Sequence, residues 1–250
     1  MVCCSEQQTG VRIWAVILKK LLHPWHQWLT CRHFWIMVKL QVFTFNDFSE
    51  NTYLLFKEAG LAILIDPGCY YREEQEELHD FITENQLSVT QILNTHCHVD
   101  HVLGNYYATE RYQAPLFIPK GEEMVLKSVK AYAPNYGFHQ YHEAEPTGFL
   151  TEHSALKLGE EVIRILSVPG HSPDHLAFYL EANKMVIGGD VLFRESIGRT
   201  DLPGGNYETL IKSIHTKFFT LPDEVVVYPG HGPETTIGYE KKFNPFCAIK

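Results

Sequence analysis

The sequence has no C-x-x-C pair. Its six cysteines, Cys3, Cys4, Cys31, Cys69, Cys97 and Cys247, stand at spacings that fit neither a zinc ribbon nor a redox dithiol. A reducing, cytoplasmic setting suits such a set. Excess positive charge is also missing. Lys and Arg number 21 against 30 Asp and Glu, a net −9, which excludes a general nucleic-acid binder. No apolar run approaches the roughly 20 residues that cross a bilayer. The run Ile13 to Leu18 stops at Lys19-Lys20, so neither stable membrane insertion nor a signal peptide is expected. Linkers, low-complexity tracts and repeats of solenoid period are absent too.

Tryptophan is lacking after residue 36: Trp14, Trp25, Trp28 and Trp35 all precede Met37. The same stretch carries Arg12, Lys19, Lys20 and Arg32 against Glu6, a local +3 that leaves −12 for the rest. Residues 1–36 therefore read as an N-terminal extension outside the fold, and residues 37–250 as the domain. A translated leader before a true start at Met37 is the favoured account; a transit segment or an amphipathic surface helix is the other. Removal of residues 1–36 should leave folding and activity intact, which expression of the truncated chain checks.

What is present is a hydrophobic fraction of 45%, enough for a soluble globular core, arranged as short strands and helices. Strands are expected at Lys39–Phe45, Asn51–Lys57, Leu61–Ile65, Val89–Asn94, Ala114–Pro119, Val162–Val168, Leu176–Leu180, Met185–Ile187 and Glu224–Tyr228. Helices are expected at Glu73–Asn85, from Asp100 to about Tyr112, at Glu122–Ala131 and at Asn206–Phe219. Tyr132 to Phe149 is rich in aromatic residues without a period, and reads either as a substrate-facing wall or as surface packing.

The chemistry concentrates in His96-Cys97-His98-Val99-Asp100-His101, an H-x-H-x-D-H run directly after a strand. His96 and His98 lie two apart and face one side in an extended segment. Asp100 and His101 follow as the chain turns, so the spacing suggests two neighbouring metal sites, one begun by each pair. Three more strands end in glycine and then a ligand-type residue: Pro169-Gly170-His171, Gly188-Gly189-Asp190 and Pro229-Gly230-His231. Glycine permits the sharp turn and close approach such a centre needs. Cys97 is read as a buried structural thiol, its side chain opposite to those of its two neighbours. Asp174, His139, His142, His153 and His215 are read as ordinary polar residues.

With Asp66-Pro67-Gly68, Gly170-His171-Ser172-Pro173, Gly198-Arg199-Thr200-Asp201 and Gly230-His231-Gly232-Pro233, this order of ligands resembles the metallo-β-lactamase superfamily. Within it, the chain is similar to glyoxalase II-like (hydroxyacylglutathione hydrolase-like) enzymes of the short form without a C-terminal helical domain. The resemblance covers about Met37 to Phe246. It implies an α/β fold, a four-layer αββα sandwich. It implies that His96, His98 and His171 hold one metal, that Asp100, His101 and His231 hold a second, and that Asp190 bridges them. His171 rather than His175 is the ligand by the same resemblance. Catalysis is expected to depend on Asp100 and Asp190. Asp66 would hydrogen-bond the ligand loop from behind. Two divalent ions are implied, with Zn²⁺ first and Fe²⁺ or Mn²⁺ compatible with imidazole and carboxylate.

The implied reaction is hydrolysis of a small-molecule thioester, an S-acyl thiol that can be glutathione-linked, by hydroxide at a dinuclear centre. Asp190 separates the chain from zinc β-lactamases, and His98 separates it from flavin-linked di-iron members, which carry Glu there. Arg199 and Asp201 stand where the family holds the thiol through Lys and Tyr, and Pro233 replaces a further Tyr, so hydrolysis follows from the resemblance and the thiol does not. Arg199 either grips a carboxylate on the thiol half or pairs with Asp201 at the surface. A mono-iron persulfide dioxygenase is the alternative enzyme, and a metal-stabilised interaction module the non-enzymatic alternative.

Overall fold

A computed structural model describes residues 37–249; the N-terminal extension of residues 1–36 lies outside the described residues. Two six-stranded sheets form the centre. The first contains β1 (Lys39–Phe45), β2 (Glu50–Phe56), β3 (Leu61–Ile65), β4 (Ser88–Leu93), β5 (Leu116–Pro119) and β6 (Gly148–Leu150), in that order. The second contains β7 (Leu156–Leu158), β8 (Glu161–Ser167), β9 (Leu176–Leu180), β10 (Met185–Gly189), β13 (Val226–Pro229) and β14 (Thr235–Thr236), ordered 14-13-10-9-8-7. A separate hairpin joins β11 (Leu192–Phe193) and β12 (Ser196–Ile197).

Alternation along the strands builds the layers. On β2 and β3, Tyr53, Leu55, Ile63 and Ile65 face the second sheet, whereas Leu54, Ala62 and Leu64 face helices. On β9 and β10, Leu176, Phe178, Leu180, Met185 and Ile187 face the first sheet, and Ala177, Tyr179 and Val186 face the opposite way. Successive side chains on a strand point to opposite faces. Strands apolar on both faces therefore need cover on both sides. Three apolar clusters result: one between the sheets and one under each outer helical layer. This is the expected αββα sandwich, and each large side chain fully buried in it contributes ~1.5–3 kcal/mol.

The helices are α1 (Arg72–Glu84), α2 (Val99–Val102), α3 (Asn105–Tyr112), α4 (Glu123–Tyr132), α5 (Tyr207–Ser213) and α6 (Ile237–Phe243). The single helix expected through Tyr112 is two. It breaks at Gly104, whose N–H donates to the Pro67 carbonyl at 2.8 Å, and whose Cβ, if present, would lie 2.6 Å from Cys69 Sγ. The helix expected to reach Phe219 ends in a π-helical turn, Ile214–Phe218. Asn206 caps α5 by accepting from Thr209 N at 2.8 Å. Strands β6, β7, β11, β12 and β14 were not expected; at two or three residues they are too short to show a period.

Parallel pairing aims the strand ends. β3 and β4 run parallel, as do β10 and β13. Their C-terminal ends carry Asp66, the H-x-H-x-D-H run, Asp190 and His231. An isolated bridge between Glu50 and His231 joins the start of β2 to the loop after β13 there.

Candidate metal centre

The loops after β4, β8, β10 and β13 bring the expected residues together. Ligand atoms of His96, His98 and His171 lie within 4.8 Å of one another, and so do those of Asp100, His101 and His231. Asp190 lies between the two triads. Its Oδ2 is 3.5 Å from His171 Nε2 and 3.6 Å from His231 Nε2, and its Oδ1 is 3.5 Å from His101 Nε2. Asp100 Oδ2 is 3.0 Å from His231 Nε2.

The outward ring nitrogens have acceptors, which fixes the tautomers. His171 Nδ1 donates to the Arg199 carbonyl at 2.8 Å, and His231 Nδ1 to the Phe48 carbonyl at 3.1 Å. His101 Nδ1 donates to Asp66 Oδ2 at 3.2 Å. His96 Nδ1 is 3.0 Å from Thr95 Oγ1, whose hydroxyl donates to Asp66 Oδ2 at 2.6 Å. In the neutral imidazoles of His96 and His171 the inner nitrogen therefore keeps its lone pair, the state a metal ligand requires; His171 Nε2 lies 2.8 Å from His98 Nδ1. Three buried atoms pointing inward, His96 Nε2, His101 Nε2 and Asp190 Oδ1, have no hydrogen-bond partner. Buried polar atoms are ordinarily satisfied, so this donor set of imidazoles and carboxylates fits divalent cations.

Asp66 also lies within reach of His96 and His101, but its oxygens are already committed. Besides His101 and the Thr95 hydroxyl, it accepts from Thr95 N at 2.7 Å. Its place is behind the ligand loop, at φ +49. Burial lowers the pKa of His96, His98 and His171, His98 to about 4, so these imidazoles are neutral at pH 7. His101 goes the other way: burial opposes its charge, yet Asp100 and Asp190 raise it well above the ordinary range. Those two carboxylates are held low despite burial, chiefly by His101.

Glycines let the loops meet. A Cβ on Gly198 would lie 1.9 Å from the Asp190 carbonyl, and one on Gly189 (φ +51) would lie 2.5 Å from Thr95 Oγ1. Cys97 is fully buried in the outer apolar cluster beneath the helices, away from the triads. His175 stacks on His96 at 4.7 Å, and its Nε2 accepts from Asp190 N at 3.1 Å. It holds the Asp190 backbone. His175→Ala should keep both metals by elemental analysis while destabilising the fold by ~1–3 kcal/mol through an unsatisfied N–H, measurable by denaturant unfolding.

Arg199 stands on the neighbouring loop. Its backbone carbonyl holds His171, and its exposed guanidinium pairs bidentately with Asp201 at 2.8 Å. His215 bonds the Cys247 carbonyl and His142 packs on Tyr106, both off the centre. The aromatic stretch is mainly packing: Phe138 is buried between Phe48 and Tyr70. Tyr136, 51% exposed, meets Phe48 edge-on, and the Phe48 carbonyl is the acceptor for His231 Nδ1.

Sequence reading missed Glu50, Asn51, Asn94 and Glu122, all buried. Glu50 Oε1 lies 3.7 Å behind His101 Nδ1, and burial pushes its carboxyl well above the usual range. Asn94 Nδ2 donates to the His101 carbonyl at 3.0 Å. Glu50 stood just before one expected strand and Asn94 at the end of another, and that position was the only signal either gave.

Comparison with known proteins agrees with this geometry. Hydroxyacylglutathione hydrolase GloC of Haemophilus influenzae is 35% identical over 215 residues, covering 85% of this chain and 100% of that protein. The crystal structure of BLEG-1 B3 metallo-beta-lactamase superposes with a TM-score of 0.76 at 31% identity, covering 84% of this chain and 100% of that one. That of TTHA1623 in a di-iron-bound form gives 0.74 at 35% identity, covering 82% and 99%. The family described as the metallo-beta-lactamase superfamily matches residues 45–231. With two sheets between helical layers and histidines and aspartates gathered at the strand ends, the chain belongs to the metallo-β-lactamase superfamily.

Proposed function

We propose that the protein is a dinuclear metal-dependent hydrolase that cleaves thioesters of small thiols in the cytoplasm. The observation that carries this reading is the pair of triads with Asp190 facing both. His96, His98 and His171 would hold one ion, Asp100, His101 and His231 the other, and Asp190 both. When bound, two such ions lower the pKa of water towards ~7 and polarise a carbonyl. The chain's own part is to orient. Asp66, Thr95 and the backbone carbonyls of Arg199 and Phe48 fix the imidazoles, and His175 fixes Asp190. The glutathione-linked thioester named in the GloC relative supports the substrate class. The three described cysteines, Cys69, Cys97 and Cys247, are free and buried, which suits a reducing compartment. Among the described residues no helix is long and apolar enough to cross a membrane.

Metal analysis with parallel assays tests this reading. The panel is S-D-lactoylglutathione, other thioesters, a β-lactam, and glutathione persulfide with oxygen uptake. Thioester cleavage with two ions and no oxygen uptake is expected. Faster persulfide oxidation with a single iron, or faster β-lactam hydrolysis, would replace the reading. Zn²⁺ is the favoured metal, and the di-iron form of the TTHA1623 neighbour makes iron the first comparison.

Arg199 is proposed to bind a carboxylate on the thiol half of the substrate, in place of Asp201. Arg199→Ala should then raise KM for anionic thioesters about tenfold with little change in kcat, because the contact is equal in ground and transition states. Asp201→Ala should lower the same KM by freeing the guanidinium. Neutral thioesters should respond to neither. Equal losses on neutral and anionic substrates would assign Arg199 to holding its loop through the His171 bond.

A further inference from the structure

Asp66 stands behind both His96 and His101, but beyond it the two triads are braced by different side chains. Glu122 follows β5 at the end of a 3₁₀ turn, Lys120–Glu122, and belongs to neither ligand motif. It is fully buried. Its Oε2 accepts from Cys97 N, between His96 and His98, at 3.2 Å. Its Oε1 accepts from Asp174 N, three residues after His171, at 2.9 Å. Asp174 returns the contact, its Oδ2 accepting from Gly121 N at 2.7 Å. The approach is so close that a Cβ on Gly121 would lie 2.6 Å from Asp174 Cβ. One carboxylate thus spans the loop that carries His96 and His98 from the first sheet and the loop that carries His171 from the second.

The second triad is held elsewhere. Asn51 N donates to the Gly230 carbonyl at 2.7 Å. Asn51 Nδ2 donates to the Pro229 and Gly232 carbonyls at 3.1 and 2.8 Å, and the Tyr53 hydroxyl donates to Pro229 at 2.5 Å. Asn46 Nδ2 donates to the Asp100 carbonyl at 3.0 Å. Among the described residues, Glu122 and Asp174 make no hydrogen bond to Asp100, His101 or His231.

We infer that Glu122 is a positioning residue that sets the spacing of His96, His98 and His171, so that this triad's metal affinity is adjusted independently of the Asp100–His101–His231 triad. The inference rests on the two-site reading above. Its chemistry is that of an outer partner that orients metal ligands, whose loss weakens affinity 10–100-fold as an order of magnitude. Glu122→Gln is the informative variant. It keeps the shape and one carbonyl acceptor, but it turns an amide N–H₂ towards one of the two backbone donors.

The test is Zn²⁺ titration of the metal-free full-length chain against a competing chromophoric chelator. Wild type should bind in two steps. Glu122→Gln should weaken one step by about tenfold or more and leave the other within about twofold. Asp174→Ala should weaken the same step less, and Asn51→Ala should weaken the other. Single-site backgrounds identify the steps. The Glu122→Gln effect should persist in His231→Ala and vanish in His171→Ala, as a double-mutant cycle requires for independent sites. Thermal melting of the metal-free proteins separates folding from affinity, and Asp174→Ala decides the question if Glu122→Gln does not fold. Equal weakening of both steps, or a lower melting temperature with unchanged affinities, would make Glu122 a fold brace only. A single step in the wild type would overturn the two-site reading before any variant is compared, and the independence with it.

Discussion

Asp190→Ala should abolish most turnover and remove at least one bound ion. Asp190 places a carboxylate between the triads, with its oxygens 3.5 to 3.6 Å from ring nitrogens of His101, His171 and His231. Its position is over-determined. Gly189 before it has φ +51, its N–H is held by His175, and Gly198 packs against its carbonyl. Removal of the side chain leaves that backbone intact and takes away only the shared carboxylate, so the fold should survive. Lewis-acid stabilisation by metal is worth several kcal/mol, and about 4 kcal/mol corresponds to roughly 10³ in rate. A fall in kcat/KM of at least about 10³ is therefore expected, together with fewer than two ions per chain by elemental analysis. A folded Asp190→Ala protein with normal turnover would sink the dinuclear mechanism. Unchanged metal content with lost activity would instead give Asp190 a purely chemical role.

The inner residues of this centre were legible because each follows a strand and a turn. His171, Asp190 and His231 all come directly after glycine, and the H-x-H-x-D-H run comes after β4. The sandwich was expected through the family resemblance, and strands such as Leu61–Ile65 and Met185–Ile187 agree with it, since apolar runs without alternation need cover on both faces. The supporting residues were not legible. Glu122 lies 25 positions from one partner, Cys97, and 52 from the other, Asp174. Asn51 lies 178 from Pro229. Contacts across the two sheets leave no local period or spacing in a single sequence. A buried carboxylate such as Glu50 or Glu122 reads there like any surface acid. The Arg199–Asp201 pair was foreseen as one of two options because its partners are two residues apart, a separation at which sequence does speak.

Gly230→Ala should remove metal binding and activity together, whereas Gly232→Ala, two residues on, should spare both. Gly230 does not occupy the left-handed region, so alanine meets no backbone penalty there. The conflict is purely steric. A Cβ on Gly230 would lie 2.1 Å from Asp190 Oδ1 and 2.7 Å from His101 Cε1. Neither neighbour can yield without cost to the site. Asp190 would have to turn out of the space between the triads, and His101 is fixed from behind by Asp66 at 3.2 Å. Nor can the backbone retreat, since Gly230 N donates to Gly189 O at 2.9 Å and its carbonyl accepts from Asn51 N at 2.7 Å. Gly232 presents the opposite case. Its added Cβ would meet nothing within 4 Å, but its φ of +72 lies in the left-handed region, where alanine is disfavoured by about 1–2 kcal/mol. The two variants should thus separate stability from site. Gly232→Ala lowers the unfolding free energy and keeps two ions and near-normal kcat/KM. Gly230→Ala loses at least about 10²-fold in metal affinity, the scale set by disturbing even outer partners of a metal site, and its activity falls accordingly. Metal analysis and urea unfolding of both proteins provide the check. Full metal content in Gly230→Ala would show that Asp190 can be displaced without loss of the ions, and would remove it from the ligand set.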